Sequence, residues 1–117
     1  MSEDPQAIAL AGWLAAAARR DRAAFGRLYA ASAAKLYAVA LRILRREDWA
    51  EEVLQECYVS VWHHARDYSP ARAAPMTWMT SIVRSQSRQR LRTMLVIQVM
   101  GAARLALYSG ACRQTLT

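Results

Sequence analysis

The sequence predicts an all-α fold, a compact bundle of about four helices with an added C-terminal tail that helix propensity also allows. Three observations carry this expectation. Apolar residues make up 55% of the chain, alanine is abundant, and only 4 Gly and 3 Pro interrupt it, a composition that favours helix over strand. No stretch shows sustained period-two alternation. Apolar residues instead recur at spacings of three and four, which line one face of a helix. With 117 residues, the chain holds one small domain with a real core and hardly two.

Taken in order, residues 6–18 read as a short helix with Ile8, Ala11, Leu14, Ala15 and Ala18 on its inward side. Asp21 is the N-cap of a long second helix reaching about Arg45, because its carboxylate can accept from first-turn amides. The inward stripe of that helix is Phe25, Leu28, Tyr29, Ser32, Leu36, Val39, Ala40 and Ile43. Asp48 with Glu51 three residues on gives a capping-box-like start to a third helix running through Arg66. Its inward face is Ala50, Val53, Leu54, Cys57, Tyr58, Val61 and Ala65. Residues 68–74 form a loop, and Pro75 suits the first turn of a fourth helix ending near Arg92.

Charge divides the chain into two parts. The formal net charge is +7, yet five of the nine acids lie in residues 47–56 and Asp67 is the last acid of all. Beyond Asp67 the chain carries arginines and no carboxylate. This asymmetry implies an acidic surface for a basic protein and a basic surface for nucleic acid. Cys57 on an apolar helix face and Cys112 in the tail do not make a disulfide framework, which fits a reducing cytoplasm. Residues 7–18 are apolar, but Glu3 and Asp4 precede them and Arg19 and Arg20 follow, the reverse of a secretory leader. No run approaches the length of a membrane span.

Residues 50–62, AEEVLQECYVSVW, place Glu51, Glu52, Gln55, Glu56 and Val59 opposite the apolar face of the third helix. In isolation such a strip is most simply a solvated face. Its surroundings change that reading. The order of AAFGRLYAASAAKLYAVALRIL, REDWAEEVLQECYVSVW and ARDYSPARAAPMTWMTSIVRSQSRQRLR closely resembles region 2 of the extracytoplasmic-function (ECF) sigma factors, RNA polymerase subunits that find and open bacterial promoters. The resemblance covers about residues 23–92 and departs from the family pattern in two places. Arg72, Ala73 and Ala74 stand where Arg-Gly-Ser is usual, and Arg84 with Ser85, then Arg88 with Gln89, stand where Arg-Asn, then Leu-Asp, are usual.

The resemblance implies that Glu51, Glu52, Gln55, Glu56 and Val59 dock on the coiled coil of the largest subunit of the RNA polymerase core. It also implies that residues 68–74 capture a base flipped from the single-stranded non-template minus-ten element. Among the residues themselves, Arg66, Arg72, Arg84, Arg88, Arg90 and Arg92 supply cations for phosphates, and Tyr68 and Trp78 supply flat surfaces for bases. A helical wheel sets Thr77, Ser81, Arg84, Arg88 and Arg92 on one side and Trp78, Met79, Ile82 and Val83 across from it. Trp78 is therefore expected in the core, and Tyr68 is the stronger stacking candidate. Trp62 fits either core or contact surface. The DNA-binding set is Tyr68, Arg72, Arg84, Ser85, Arg88 and Arg92.

Catalysis and metal binding find no support in the sequence. Cys57, His63 and His64 share one helix at offsets that do not build a tetrahedral zinc site, and no Ser-His-Asp set, phosphate-cradling glycine loop or carboxylate pair can be assembled. A non-enzyme without cofactors is expected. Three parts follow: residues 1–22 as an N-terminal short helix, 23–92 as the region 2-like domain, and 93–117 as a tail. The tail has neither the composition nor the length of the linker and second, region 4 domain that complete ECF sigma factors. It reads as an altered or truncated end, or as a helix that docks on the domain or drives self-association, and its run at residues 94–100 is sticky if exposed. Two functions remain open, a promoter-recognition and melting module, also the target of an anti-sigma factor, and a decoy that grips polymerase or an anti-sigma factor without initiating. A duplex-binding regulator is the weaker third reading.

Overall fold

A computed structural model describes the backbone of residues 4–116 and the side chains of residues 4–107. Four helices, α1 (Pro5–Ala18), α2 (Arg22–Leu44), α3 (Glu47–His64) and α4 (Pro75–Leu116), are joined by tight turns and by a 3-10 turn at Ala65–Asp67. The described residues contain no strand, as composition predicted.

The helix starts follow local chemistry. Asp4 caps α1 by accepting from the Gln6 amide at 3.1 Å, and Pro5 takes the first helical position, where its missing N–H costs nothing. Asp21 accepts from the Ala24 amide at 3.2 Å, as expected. The capping box expected at Asp48 does not form. α3 begins two residues earlier, after Arg46, whose side chain makes no cap bond. Asp48 instead forms a 2.7 Å ion pair with Arg46, and that hydrogen-bonded guanidinium holds its carboxyl below the usual aspartate range. The Arg46 guanidinium also lies 4.2 Å over the Trp49 ring.

Two arginines occupy the left-handed region at the helix ends, Arg20 with φ 67° and Arg45 with φ 59°. This conformation costs a non-glycine residue about 1–2 kcal/mol. Arg20 recovers part of it by donating to the Trp62 carbonyl at 2.8 Å and lying over the Trp62 ring, which pins the α1–α2 turn to α3.

The core lies where α2, α3 and α4 meet, with α1 packed across them. Leu28, Leu36, Ala40 and Leu44 of α2 meet Ala50, Val53, Leu54, Cys57, Tyr58 and Val61 of α3 and Met79 and Val83 of α4. The α3 face is the one the sequence predicts, Ala65 included. α1 differs: Leu10, Leu14 and Ala17 are buried, whereas Ile8 is 56% exposed and Ala15 is exposed. Nearly every residue of α1 is apolar, so periodicity there is ambiguous and the packing partner picks the face. In α2, Tyr29 is 46% exposed rather than inward, because the buried series Ala24, Leu28, Ser32, Leu36, Ala40, Leu44 leaves it on the flank.

The main departure is α4. Expected to end near Arg92, it continues unbroken to Leu116, 42 residues in all. Mostly good helix formers follow Arg92, Gly101 and Gly110 being the poor ones, and no proline breaks the backbone. Leu95, Val96, Ile97, Val99, Met100, Leu105 and Leu107 are each more than half exposed. The described part of the tail therefore does not dock on its own domain. Among the described residues no helix is long and apolar enough to cross a membrane.

Candidate functional site

Two surfaces with different chemistry lie on α3 and α4. Burying Val53, Leu54, Cys57, Tyr58 and Val61 turns Glu51, Glu52, Gln55, Glu56 and Val59 outward, and all five are exposed. Glu52, Gln55, Glu56 and Val59 line a shallow depression of about 570 Å³ with Ser60 and Gln86. Gln55 and Val59 also border a second depression of about 590 Å³, formed with Phe25, Tyr29, Tyr58, Trp62 and His63. The acidic strip thus merges into an aromatic one, where Phe25 meets Trp62 edge-on with ring centroids 5.1 Å apart. Trp62 is half-buried, between the Phe25 ring and the Arg20 guanidinium. Sequence reasoning missed Tyr29 and Phe25 as parts of this surface, since both lie on the stripe assigned to the core.

Arg90 does not join the cations available to DNA. Its side chain, only 22% exposed, reaches across to α3, bonding Glu52 and lying 3.9 Å from Glu56. One guanidinium between two carboxylates fastens α4 to α3. Gln86 adds a second link, its amide donating to Ser60 Oγ at 2.8 Å.

On the opposite flank of α4, Thr77, Ser81, Arg84, Arg88 and Arg92 are exposed in a row, as the helical wheel predicts. With Met76, Thr80 and Ser85 they line a depression of about 590 Å³ that contains no carboxylate. Such a row presents positive charge along a helix length comparable to several phosphate spacings. Ser81 and Ser85 also border a neighbouring depression of about 540 Å³ that includes His64, Asp67, Trp78 and Gln89. The exposed His64 and Asp67 lie 3.2 Å apart.

The loop before α4 is held by its own residues. The Arg72 and Ala73 amides donate to the Ser69 carbonyl at 3.1 and 3.4 Å. Tyr68 donates through its hydroxyl to the Ala73 carbonyl at 2.8 Å, and its ring meets Trp78 with centroids 5.3 Å apart. Tyr68 and Trp78 are both half-buried and both pack on the core cluster, so Tyr68 braces the loop, and burial pushes its phenol up. Arg72 is exposed at the tip. The structure brings Arg84, Ser85, Arg88 and Arg92 together on one flank of α4, with Arg72 and Tyr68 in the loop at its N-terminal end.

Among the described residues no three His, Cys, Asp or Glu side chains gather as a metal site. Cys57 is fully buried, and desolvation pushes its thiol up to about 12, away from nucleophilic reactivity. Cys112 lies outside the described side chains.

Comparison with known proteins places the chain in a family. Residues 28–94 match the family model for sigma-70 region 2. Over 76 residues the chain is 33% identical to the ECF RNA polymerase sigma factor SigK of Mycobacterium sp. (strain KMS), covering 65% of this chain and 39% of that protein. The namesake proteins of Mycobacterium ulcerans (strain Agy99) and Mycobacterium tuberculosis (strain ATCC 25177 / H37Ra) are 32% and 29% identical over 75 residues, covering 64% of this chain and 40% of each relative. The chain thus spans about two-fifths of the length of these relatives. With a region match covering most of α2, all of α3 and the first half of α4, and with an all-helical core between them, the chain belongs to the sigma-70 region 2 family.

Proposed function

We propose that this domain joins core RNA polymerase and recognises and melts the promoter minus-ten element. The observation that carries it is the segregation of charge on one rigid core. The acidic and apolar strip of α3 and the carboxylate-free arginine row of α4 face different ways, so one protein and one nucleic acid can be held at once. Glu51, Glu52, Gln55, Glu56 and Val59 form the polymerase face, where carboxylates complement basic groups and Val59 adds desolvated area. The partner surface is the coiled coil of the largest polymerase subunit. Arg72, Arg84, Ser85, Arg88 and Arg92 track the single-stranded non-template strand. Tyr68 shapes the loop that receives an extruded base, a step costing a few kcal/mol that the basic row helps offset. The role is non-catalytic, in the cytoplasm where polymerase works, and an anti-sigma factor that covers the α3 strip would silence it.

A second reading is supported by Ala73 and Ala74 in the loop. A domain with an intact α3 strip and a weakened base pocket would act as a decoy, occupying polymerase or an anti-sigma factor without initiating. The experiment pairs a binding assay on core polymerase with in vitro transcription from a promoter carrying an extended upstream element. Binding with initiation supports the first reading, binding alone selects the decoy, and no binding to core overturns the first reading and leaves the decoy only an anti-sigma factor to occupy.

A further inference from the structure

Arg19, Arg22 and Arg66 are exposed, and none of them enters an ion pair among the described residues. The fold gathers them at one end of the bundle. Arg20, between the first two, is pinned to α3 through the Trp62 carbonyl and ring, and Arg66 follows Trp62 in the 3-10 turn that packs against α1. Both carboxylates at this end are already engaged. Asp21 caps α2 through the Ala24 amide, and Asp67 pairs with His64. Arg22 also stands where folding disfavours it. It is the first residue of α2, whose opening turn carries no acid, and the positive end of a helix dipole repels a cation. Charge kept against that preference, with no carboxylate of its own chain to meet it, points to an anionic partner outside the chain.

What the cluster lacks identifies the form of that partner. Single strands are held by cations together with open aromatic faces. Here Trp62 is taken up by Phe25 and Arg20, and Tyr68 lies on Trp78. Cations without a stacking surface suit the phosphates of intact duplex, which carries twice the charge of one strand per unit length. The position agrees. The 3-10 turn leads through the loop that bears Arg72 into α4, so the cluster lies across the loop from the arginine row, at the N-terminal end of that helix. We propose that Arg19, Arg22 and Arg66 form a second DNA contact, which holds the phosphates of the duplex flanking the melted segment. This rests on the reading of the α4 row as a DNA surface: the row takes the separated strand, and the cluster takes the duplex where it forks.

Salt titrations of the full chain test this on three probes, the single-stranded non-template minus-ten strand and the same strand extended by duplex on one side or on the other. The slope of log affinity against log salt should be steeper on one forked probe than on the single strand, by up to about three phosphates' worth. Arg19→Ala, Arg22→Ala and Arg66→Ala combined should remove that increment and leave the single-strand slope unchanged, whereas Arg19→Lys, Arg22→Lys and Arg66→Lys combined should keep it. Arg22→Ala alone should weaken binding to that fork while its thermal midpoint stays at or above the parent's, which a purely structural role would not give. Lys35→Ala with Arg42→Ala, about 20 and 30 Å along α2 from Arg22, reports net charge alone and should leave the increment in place. An alanine triple indistinguishable from the parent on both forks, an equal loss of slope on all three probes, or the same loss in the Lys35 and Arg42 variant would overturn the proposal. Arg84→Ala separates these outcomes from failure of the underlying reading. It should flatten the slope on every probe; if it does not, or if no probe binds, the row itself is not a DNA surface and both readings fall.

Discussion

The Tyr58 hydroxyl lies 2.5 Å from Ser32 Oγ in the middle of the α2–α3 interface. Ser32 donates its own proton to the Leu28 carbonyl at 2.6 Å, so Tyr58 is the donor to Ser32. The order matters for what each deletion leaves behind. Ser32→Ala strands a buried phenol and should cost about 1–3 kcal/mol, whereas Tyr58→Phe leaves Ser32 bonded to the backbone and should cost about 1 kcal/mol. In denaturant titrations the double variant should be less destabilised than the sum of the two; strict additivity would show that the two groups are not coupled.

Alkaline pH should unfold the domain through its buried acids. Burial pushes the Cys57 thiol from 9.0 and the Tyr58 phenol from 10.0, each up to about 12. A folded-state value raised above the unfolded one means that the unfolded chain releases its proton first. Stability is therefore intact below pH 9 and falls between about 9 and 12. Cys57→Ala should move the onset of the decline toward pH 10, read by the pH dependence of the thermal midpoint.

The two left-handed arginines should respond oppositely to glycine. Arg45→Gly relieves the backbone at the α2 C-cap and should raise stability by up to about 1 kcal/mol. Arg20→Gly relieves the same strain but removes the bond to the Trp62 carbonyl and the contact with its ring, so no gain is expected. Equal gains at both sites would show that the Arg20–Trp62 contact contributes nothing.

On the proposed polymerase face, Glu51→Arg with Gln55→Ala should weaken binding to core enzyme at least tenfold, while stability stays within about 0.5 kcal/mol because both side chains are exposed. Glu52 and Glu56 make poorer probes, since each is tied to Arg90. A pull-down titration with core polymerase reads the first quantity and thermal denaturation the second.

For DNA, Arg84→Ala and Arg88→Ala should each flatten the salt dependence of binding to the single-stranded non-template minus-ten strand by about one phosphate's worth. Tyr68→Phe keeps the ring on Trp78 and loses the bond to Ala73, so it should lower affinity without changing the slope. Measurements belong in the holoenzyme if the isolated domain binds weakly. A changed slope for Tyr68→Phe would place its hydroxyl at a phosphate.

The sequence by itself determined the all-helical class, the α2 cap at Asp21, the α4 start at Pro75 and the whole inward face of α3. Each is set by interactions within a turn or two of chain, or by a pattern in which polar and apolar residues alternate cleanly enough to name the face. The exposure of the acidic strip and the arginine row was legible for the same reason. Tertiary structure alone decided the rest. α1 is apolar almost throughout, and only the neighbours on which it packs choose Leu10 over Ile8. Arg90 differs from Arg88 and Arg92 by its rotation about the helix, and only the nearness of α3 makes it a clasp for Glu52 and Glu56 rather than a contact for phosphate. Tyr68 is a free aromatic in the sequence, and it becomes a brace once the folded loop brings the Ala73 carbonyl and the Trp78 ring to it. The length of α4 was hidden for the converse reason. No proline follows Arg92, so helix continues wherever nothing in the fold stops it.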